Sequence, residues 1–380
     1  MKTRIIDFGI YYSFIAVIAI SYLLSSCAEK KAAASEMQEN VSITIENNEI
    51  SLDVDLRGGM YTNLVVKEKP VNPLVWKLTP EQMPENNRPF IFAGHFLCTG
   101  RWGSPSKGEM IAGVPHNGEV NTERWSVDER QEANSAMSVL MSCKAPIENL
   151  DVTRKITIPK QGHYFLVEET FKNNKPIDRL SNVVQHGTIA APFLTENTII
   201  NTNATRGFDQ RTNYKYLEDS SFLWPEGKMS NGGNIDLRTV ISTDGYVTTH
   251  IFEDETGWIT AHNPQQNLLL GYIWKTSEYP WLNVWHHSKE GKPFVQGLEF
   301  GTTGLGQPYK LLLENNVTFY GRNSFEMMDA GEIKEKSWIC FYVLVPEEFG
   351  EARQITLDEE MITIMGSSKV EIPGNFSPLM

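Results

Sequence analysis

Cysteine is scarce in this chain, and several motifs that mark common catalytic sites are missing from it. Only four cysteines occur in 380 residues, and their spacing fits no zinc-binding motif. There is no HExxH, no GxSxG and no GxGxxG that opens a helix. A catalytic metal, a serine nucleophile and a dinucleotide are therefore unsupported, and we expect neither a metal nor a cofactor. We interpret Cys98, Cys143 and Cys340 as buried thiols.

An excess of positive charge is also lacking. Lysine and arginine number 34 against 47 aspartates and glutamates, which gives a net charge of -13, and no basic patch stands out. Nucleic acid is therefore not an expected partner. With 41% hydrophobic and 21% charged residues, the composition is that of a globular protein.

The N-terminus has the pattern of a targeting segment. Lys2 and Arg4 precede an apolar run from Phe8 to Leu24, and Leu24-Ser25-Ser26-Cys27 follows. Small residues before a cysteine resemble the signal of bacterial lipoproteins, which implies cleavage after residue 26, acylation of Cys27 and a membrane anchor. An uncleaved anchor with a chance cysteine is the alternative. Ala28 favours the outer membrane by analogy with lipoprotein sorting, and the polar residues 27–40 predict a tether.

From Val41 onward, short segments with alternating apolar and polar residues recur, and Asn, Gly and Pro separate them. We predict a hairpin from Val41 to Leu56. The further predicted strands are Val152–Ile158, Tyr164–Phe171, Tyr246–Phe252, Trp258–Ala261, Leu268–Ile273, Lys310–Leu313 and Trp338–Val345. No long segment has a helical period, which predicts an all-β sandwich or barrel. We assign residues 41–380 to one large domain, with a frayed tail after about Pro373.

Two stretches, Pro80–Arg88 and Thr205–Gly233, are polar and poorly patterned. We expect both to form loops over the sheet, where binding residues are common.

The most unusual stretch runs from Tyr279 to Gly306. On a strand, Leu298 and Phe300 would share one face and Glu299 would point to the other. If that face lines a cleft, Glu299 is a desolvated carboxylate of the kind that serves as a general base. A solvated strand glutamate is the alternative. Two tryptophans, Trp281 and Trp285, flank Asn283 just upstream.

Several histidines lie beside glycines, which let a ligand or another backbone approach closely. These are His95, in Gly94-His95; His116, in Gly113-Val114-Pro115-His116-Asn117-Gly118; and His186, in His186-Gly187. For each of them, a structural role in the core or in a turn is the alternative. His286 and His287 would point to opposite faces of a strand and cannot easily share a metal.

Taken together, these residues resemble the galactose mutarotase-like, aldose 1-epimerase-related family. The resemblance rests on Asp55-Leu56-Arg57-Gly58-Gly59, on Asn72-Pro73-Leu74-Val75-Trp76, and on the order arginine, first histidine, second histidine, late glutamate. It implies a large antiparallel β-sandwich with a sugar cleft on one face. It also implies a cofactor-free reaction in which acid–base catalysis opens the sugar ring and interconverts the anomers.

Carried over by position, Glu299 resembles the base and His186 resembles the acid. His116 resembles the histidine that orients the substrate, and Arg101 resembles the arginine that grips sugar hydroxyls. From their chemistry alone, Trp281 and Trp285 are candidates to stack on a sugar ring, and Asn283 is a candidate to bind a hydroxyl.

Three functions stay open at this point. A mutarotase or epimerase would place Glu299 and His186 on either side of a sugar-sized gap. A non-catalytic carbohydrate-binding sandwich would keep tryptophans in the cleft without an ordered acid–base pair. A glycan lyase or hydrolase would use His116 or His186 for a different reaction. In each case the expected partners are a saccharide and, through the N-terminal lipid, a membrane.

Overall fold

The computed structural model describes residues 41–241 and 245–380, and residues Ile43–Met380 form one compact unit. The predicted signal peptide, Cys27 and the tether lie outside the described residues and stay predictions. Within the described ranges, no helix combines the length and the apolar character needed to cross a membrane.

Strands dominate the chain. In chain order they are β1 (Ser42–Glu46), β2 (Ile50–Asp55), β3 (Met60–Val66), β4 (His95–Gly100), β5 (Ser126–Glu132), β6 (Ala136–Ala145), β7 (Leu150–Pro159), β8 (Tyr164–Asn173), β9 (Arg179–Leu180), β10 (Asn182–Ile189), β11 (Ile199–Thr202), β12 (Arg206–Asp209), β13 (Phe222–Leu223), β14 (Glu226–Lys228), β15 (Asn234–Asp236), β16 (Tyr246–Ile251), β17 (Thr256–Asn263), β18 (Leu268–Lys275), β19 (Trp281–Lys289), β20 (Lys292–Gly301), β21 (Thr318–Phe319), β22 (Arg322–Asn323), β23 (Met327–Met328), β24 (Ile333–Leu344), β25 (Gln354–Leu357), β26 (Met361–Met365) and β27 (Lys369–Pro373). Among the described residues, two short helices, α1 (Lys107–Ile111) and α2 (Tyr309–Glu314), lie in connections.

Two large antiparallel sheets carry the fold. The first has the order β1-β2-β3-β4-β10-β20-β19-β16-β12-β13, and the second has the order β11-β17-β18-β24-β8-β7-β6-β5. Their inner faces pack together: the Phe300 ring of the first sheet stacks on the Trp274 ring of the second at 4.3 Å. The prediction of an all-β sandwich is confirmed.

A third, smaller sheet of β25, β26 and β27 covers the outer face of the second sheet. Its apolar residues pack with Phe341 and Ile339 of β24. The chain then continues over this layer, where Phe376 is 0% and Leu379 is 4% exposed. The expected frayed tail after Pro373 is therefore wrong, because the last residues bury apolar side chains.

The segments with alternating apolar and polar residues form strands because each of them buries its apolar side in the core. In β7, for example, even-numbered residues from Leu150 to Ile158 are buried and the residues between them are more exposed. The predicted hairpin and six of the seven further predicted strands are confirmed. The strand predicted at Lys310–Leu313 is wrong, since these residues form α2; a short apolar run does not separate helix from strand.

The three described cysteines are buried and unpaired, as expected. The polar stretch Pro80–Arg88 forms a loop with one short turn of 3-10 helix at Glu85–Asn87. The stretch Thr205–Gly233 is less irregular than expected, because it contains the short strands β12, β13 and β14.

Candidate active site

A row of side chains crosses the outer face of the first sheet. Residues directly opposite each other on paired strands share a face. The register places Phe96 of β4, His186 of β10, Glu299 of β20 and Asn283 of β19 side by side. Leu298 and Phe300, on either side of Glu299, belong to the core between the sheets. The prediction that Glu299 points to the opposite face from Leu298 and Phe300 is therefore confirmed.

The Glu299 carboxylate and the His186 imidazole are in direct contact. Glu299 Oε1 lies 3.2 Å from His186 Nε2, and Trp102 Nε1 donates a 2.9 Å hydrogen bond to Glu299 Oε2. The glycine at position 297 leaves room for this carboxylate, because a Cβ there would lie 2.7 Å from Glu299 Oε1. The expected sugar-sized gap between Glu299 and His186 is absent, since opposed residues on neighbouring strands have adjacent side chains.

Burial sets the electrostatics of this pair. Glu299 is 1% exposed, and burial raises its pKa to about 8, although the Trp102 hydrogen bond opposes the shift. Burial lowers the pKa of His186 to about 3, and the nearby His116 acts in the same direction. Between about pH 3 and about pH 8, Glu299 and His186 together therefore hold one titratable proton.

Thr188 and Phe96 fix the imidazole of His186. Its Nδ1 lies 2.9 Å from Thr188 Oγ1, and its ring stacks on the Phe96 ring with centroids 4.3 Å apart. With Nδ1–H donating to Thr188, Nε2 is the nitrogen that exchanges a proton with Glu299.

His116 reaches the site from a loop rather than from a strand. Its backbone N–H donates to Asn87 Oδ1 at 3.0 Å, and Asn87 Nδ2 donates to its carbonyl at 2.9 Å. The side-chain Nδ1 lies 3.2 Å from Ser104 Oγ. Burial, aided by Arg101, lowers the pKa of His116 to about 4, so its imidazole is neutral at physiological pH.

These groups line a cavity of about 430 Å³, a size typical of small-molecule sites. Five of its lining residues have large aromatic rings: Trp76, Phe92, Phe96, Trp102 and Trp285. The Phe92 and Phe96 rings stack at 4.7 Å, and the Trp76 ring meets the Trp285 ring edge-on at 5.8 Å. Such rings suit the C–H faces of a flat or cyclic ligand.

Four of the predicted site residues line this cavity: Glu299, His186, His116 and Trp285. Arg101 does not. Its guanidinium, 4% exposed, donates to the carbonyls of Ser104 and Gln307. It therefore ties two loops together behind the cavity instead of presenting its charge to a ligand.

Trp281 and Asn283 share a sheet face with Glu299, yet the structure places both outside the cavity lining. The segment that follows β20 folds back over them. Trp281 Nε1 donates to the Asn323 carbonyl at 2.9 Å, and Asn283 Nδ2 donates to the Thr303 carbonyl at 3.2 Å. Both side chains are 0% exposed, so neither stacks on nor binds a ligand in this cavity.

Sequence reasoning missed several cavity residues. Trp102 was visible in Gly100-Arg101-Trp102-Gly103, where a large ring between glycines is a usable signal, and Trp76 ends the Asn72–Trp76 motif. Phe92 and Asn117 gave no comparable signal, because they line the cavity from irregular segments. Within the described part of the chain, no three His, Cys, Asp or Glu side chains are grouped as metal ligands would be.

No family model and no curated protein matches this chain. Solved structures do. A galactose mutarotase-like protein from Clostridium acetobutylicum is 14% identical, with a TM-score of 0.57 over 80% of this chain and 95% of that one. Another, from Lactobacillus casei, is 15% identical, with a TM-score of 0.54 over 80% and 100% of the two chains.

A galactose mutarotase related enzyme from Lactobacillus acidophilus is 10% identical, with a TM-score of 0.53 over 80% of this chain and 97% of that one. Identities this low bear on the fold alone. On that basis, this chain has the galactose mutarotase-like β-sandwich fold that its sequence resembles.

Proposed function

We propose that this protein is a sugar mutarotase, an isomerase that interconverts sugar anomers by acid–base ring opening. Glu299 acts as the base and His186 as the acid. One observation carries the proposal: the only acidic side chain among the lining residues in the described chain contacts a histidine within an aromatic-walled cavity. Because no gap separates the two side chains, the sugar would meet both of them from the cavity side instead of lying between them. The fold shared with galactose mutarotase-like proteins supports it.

The reaction needs the single proton that the pair holds. With that proton on His186, the Glu299 carboxylate removes the proton of the C1 hydroxyl. The bond between C1 and the ring oxygen breaks as the carbonyl forms, and His186 Nε2–H protonates the ring oxygen. After rotation about the C1–C2 bond, both transfers reverse and the ring closes on the other face. The pair ends with the proton count with which it began.

This scheme fixes the dependence of the rate on pH. The base and the acid are both present only while the pair holds one proton. Because burial raises the pKa of Glu299 to about 8, the pair loses that proton in alkaline solution and the reaction loses its acid. We therefore expect the catalysed rate to fall above about pH 8.

The other two functions receive less support from the cavity. Hydrolases of the common two-carboxylate type need a second carboxylate beside the first, and Glu299 is unaccompanied among the described lining residues. A binding module needs no ordered acid–base pair, whereas Glu299 and His186 are held by Trp102 and Thr188.

Saturation-transfer NMR on the full-length protein tests the proposal directly. Added to a panel of neutral aldoses, the protein should exchange the anomers of at least one sugar faster than the spontaneous rate. Glu299→Gln should reduce the catalysed rate by about 100-fold or more, because an amide keeps the shape but accepts no proton. Glu278→Gln, which changes a half-buried carboxylate outside the cavity, is the matched control and should keep the rate.

Two results would contradict the proposal. Equal rates in Glu299→Gln and the wild type would remove Glu299 from the mechanism. Line broadening without exchange for every sugar would mean that the protein binds saccharides without converting them.

A further inference from the structure

A single turn brings His116 and Asn117 to the cavity as neighbours. The Gly118 N–H donates to the Pro115 carbonyl at 3.3 Å, which makes His116 and Asn117 the central residues of a β-turn. Asn117 has a φ of 63°, the left-handed conformation that a type II turn requires at its second central position. Glycine would satisfy that requirement without a side chain, so the turn alone does not explain an asparagine in the cavity lining.

The backbone and the side-chain oxygen of Asn117 are held by the protein. Its N–H donates to the Gly103 carbonyl at 3.1 Å, and its carbonyl accepts from Asn121 Nδ2 at 2.8 Å. Its side-chain Oδ1 accepts from the Gly103 N–H at 2.7 Å. This last bond fixes the direction of the amide, because the opposite orientation would bring two N–H donors face to face.

The amide nitrogen of Asn117 is left over. In the described part of the chain, Nδ2 has no hydrogen-bond partner, although Asn117 is 5% exposed and lines the cavity together with Glu299 and His116. The indole N–H groups of the lining residues Trp76 and Trp285 are also unpaired, but only the Asn117 donor has its direction set by a hydrogen bond of its own amide. An unpaired buried N–H costs free energy, so this donor suits a ligand that brings an oxygen to it.

We propose that Asn117 binds the substrate, with Nδ2 donating a hydrogen bond to a sugar hydroxyl other than the anomeric one. This inference rests on the proposed mutarotase function, because it adds a specificity-determining residue to the same site. In that mechanism the anomeric hydroxyl and the ring oxygen exchange protons with Glu299 and His186. The Asn117 donor therefore serves one of the remaining hydroxyls, and it discriminates between sugars by the presence of that hydroxyl.

Deleting hydroxyls from the sugar and the side chain from the protein tests the contact. Full-length wild type and Asn117→Gly are compared on the sugar that is exchanged fastest and on its derivatives that each lack one non-anomeric hydroxyl. In the wild type, at least one derivative should have a kcat/KM about tenfold lower than the parent sugar, because the Asn117 N–H loses its partner. In Asn117→Gly the kcat/KM of that derivative should lie within about twofold of the parent sugar, since the contact is already gone.

Asn86→Ala is the matched control for a loosened loop. Asn86 is exposed and outside the cavity lining, and its Nδ2 ties the same loop by donating to the Met110 and Val114 carbonyls at 3.1 Å each. This variant should change kcat/KM for the parent sugar and for every derivative by the same factor. If Asn117→Gly does the same, Asn117 shapes the loop without contacting the sugar, and the inference is overturned.

The outcomes separate this inference from the proposed function. If the wild type exchanges a sugar but no derivative is disfavoured, or every disfavoured derivative stays so in Asn117→Gly, the mutarotase stands and the role of Asn117 is overturned. If the wild type exchanges no sugar, the mutarotase proposal fails, and line broadening of the same sugars decides the role of Asn117. A difference in broadening between the parent sugar and one derivative that disappears in Asn117→Gly supports the contact. Broadening that is the same in both proteins, or absent from both, overturns it.

Discussion

Strand β10 meets a buried glutamate on each of its two faces. On the inner face, Gln185 Nε2 donates to Glu169 Oε2 at 2.5 Å. On the outer face, the next residue, His186, contacts Glu299 at 3.2 Å. Both glutamates are 1% exposed, yet their surroundings differ in one respect that decides their chemistry.

Glu169 has a cation and Glu299 has none. Arg154 Nε donates to Glu169 Oε1 at 2.7 Å, and the guanidinium packs on the Trp125 ring at 4.6 Å. Glu299 is offered only an indole N–H and a neutral imidazole, so burial raises its pKa. The carboxylate in the core is thus paired with a cation, whereas the carboxylate that lines the cavity has no counter-charge. An uncompensated buried carboxylate is costly, and such groups cluster at functional sites.

Breaking the ion pair between Arg154 and Glu169 should have the largest effect on stability. Glu169→Gln removes the counter-charge of Arg154 and leaves a buried guanidinium unpaired. We expect a loss of about 3–5 kcal/mol in the free energy of unfolding, measured by urea denaturation. A loss below about 1 kcal/mol would mean that the Arg154–Glu169 pair does not stabilise the core.

The equivalent change on the outer face, Glu299→Gln, should increase the free energy of unfolding in alkaline solution instead of lowering it. A carboxyl group whose folded-state pKa lies above its unfolded value of 4.5 stabilises the fold below that value. The contribution is lost as the pH rises toward 8, and the amide of Glu299→Gln avoids this loss. We expect the variant to be more stable than the wild type at about pH 9, by roughly 1–3 kcal/mol, and to show a much smaller difference at about pH 5.

Urea denaturation of both proteins at the two pH values checks this prediction. Glu335→Gln, which changes an exposed carboxylate outside the cavity, serves as the control. If the stability advantage of Glu299→Gln over the wild type instead shrinks as the pH rises, Glu299 is ionised and stabilised in the folded protein, which would contradict this prediction.

Trp102→Phe should have a smaller effect, a shift in the pH at which the exchange rate declines. The Trp102 hydrogen bond lowers the pKa of Glu299, so its removal should raise that pKa further. The alkaline decline of the exchange rate should then move up by about one pH unit. Trp76→Phe alters another cavity ring that makes no hydrogen bond to Glu299, and it should leave the position of the decline unchanged. If the rate declines at the same pH in the wild type and in both variants, Trp102 does not affect the pKa of Glu299.

Most of the fold could be predicted from the sequence, because half-buried strands alternate and each buries one side. The side of β20 to which Glu299 points followed from the same alternation. The short helix α2 was missed for a local reason: Lys310–Leu313 is too short to reveal its period.

The site was predictable only in part. The register that brings His186 opposite Glu299 is a long-range pairing, and it entered through the family resemblance rather than through the residues. The burial of Trp281 and Asn283 depends on how residues 302–324 fold back, which no local pattern encodes. The same holds for Phe92, which reaches the cavity from an irregular loop.

The pH dependence of the catalysed anomer exchange, from about pH 5 to pH 10 and after subtraction of the spontaneous rate, tests most directly whether Glu299 and His186 act as a pair that shares one proton. The predicted profile is level to about pH 7 and falls about tenfold per pH unit above about pH 8, as the pair loses that proton. A rate that instead rises through pH 8 would contradict the shared proton, because it is what an ionised Glu299 acting without His186 would produce.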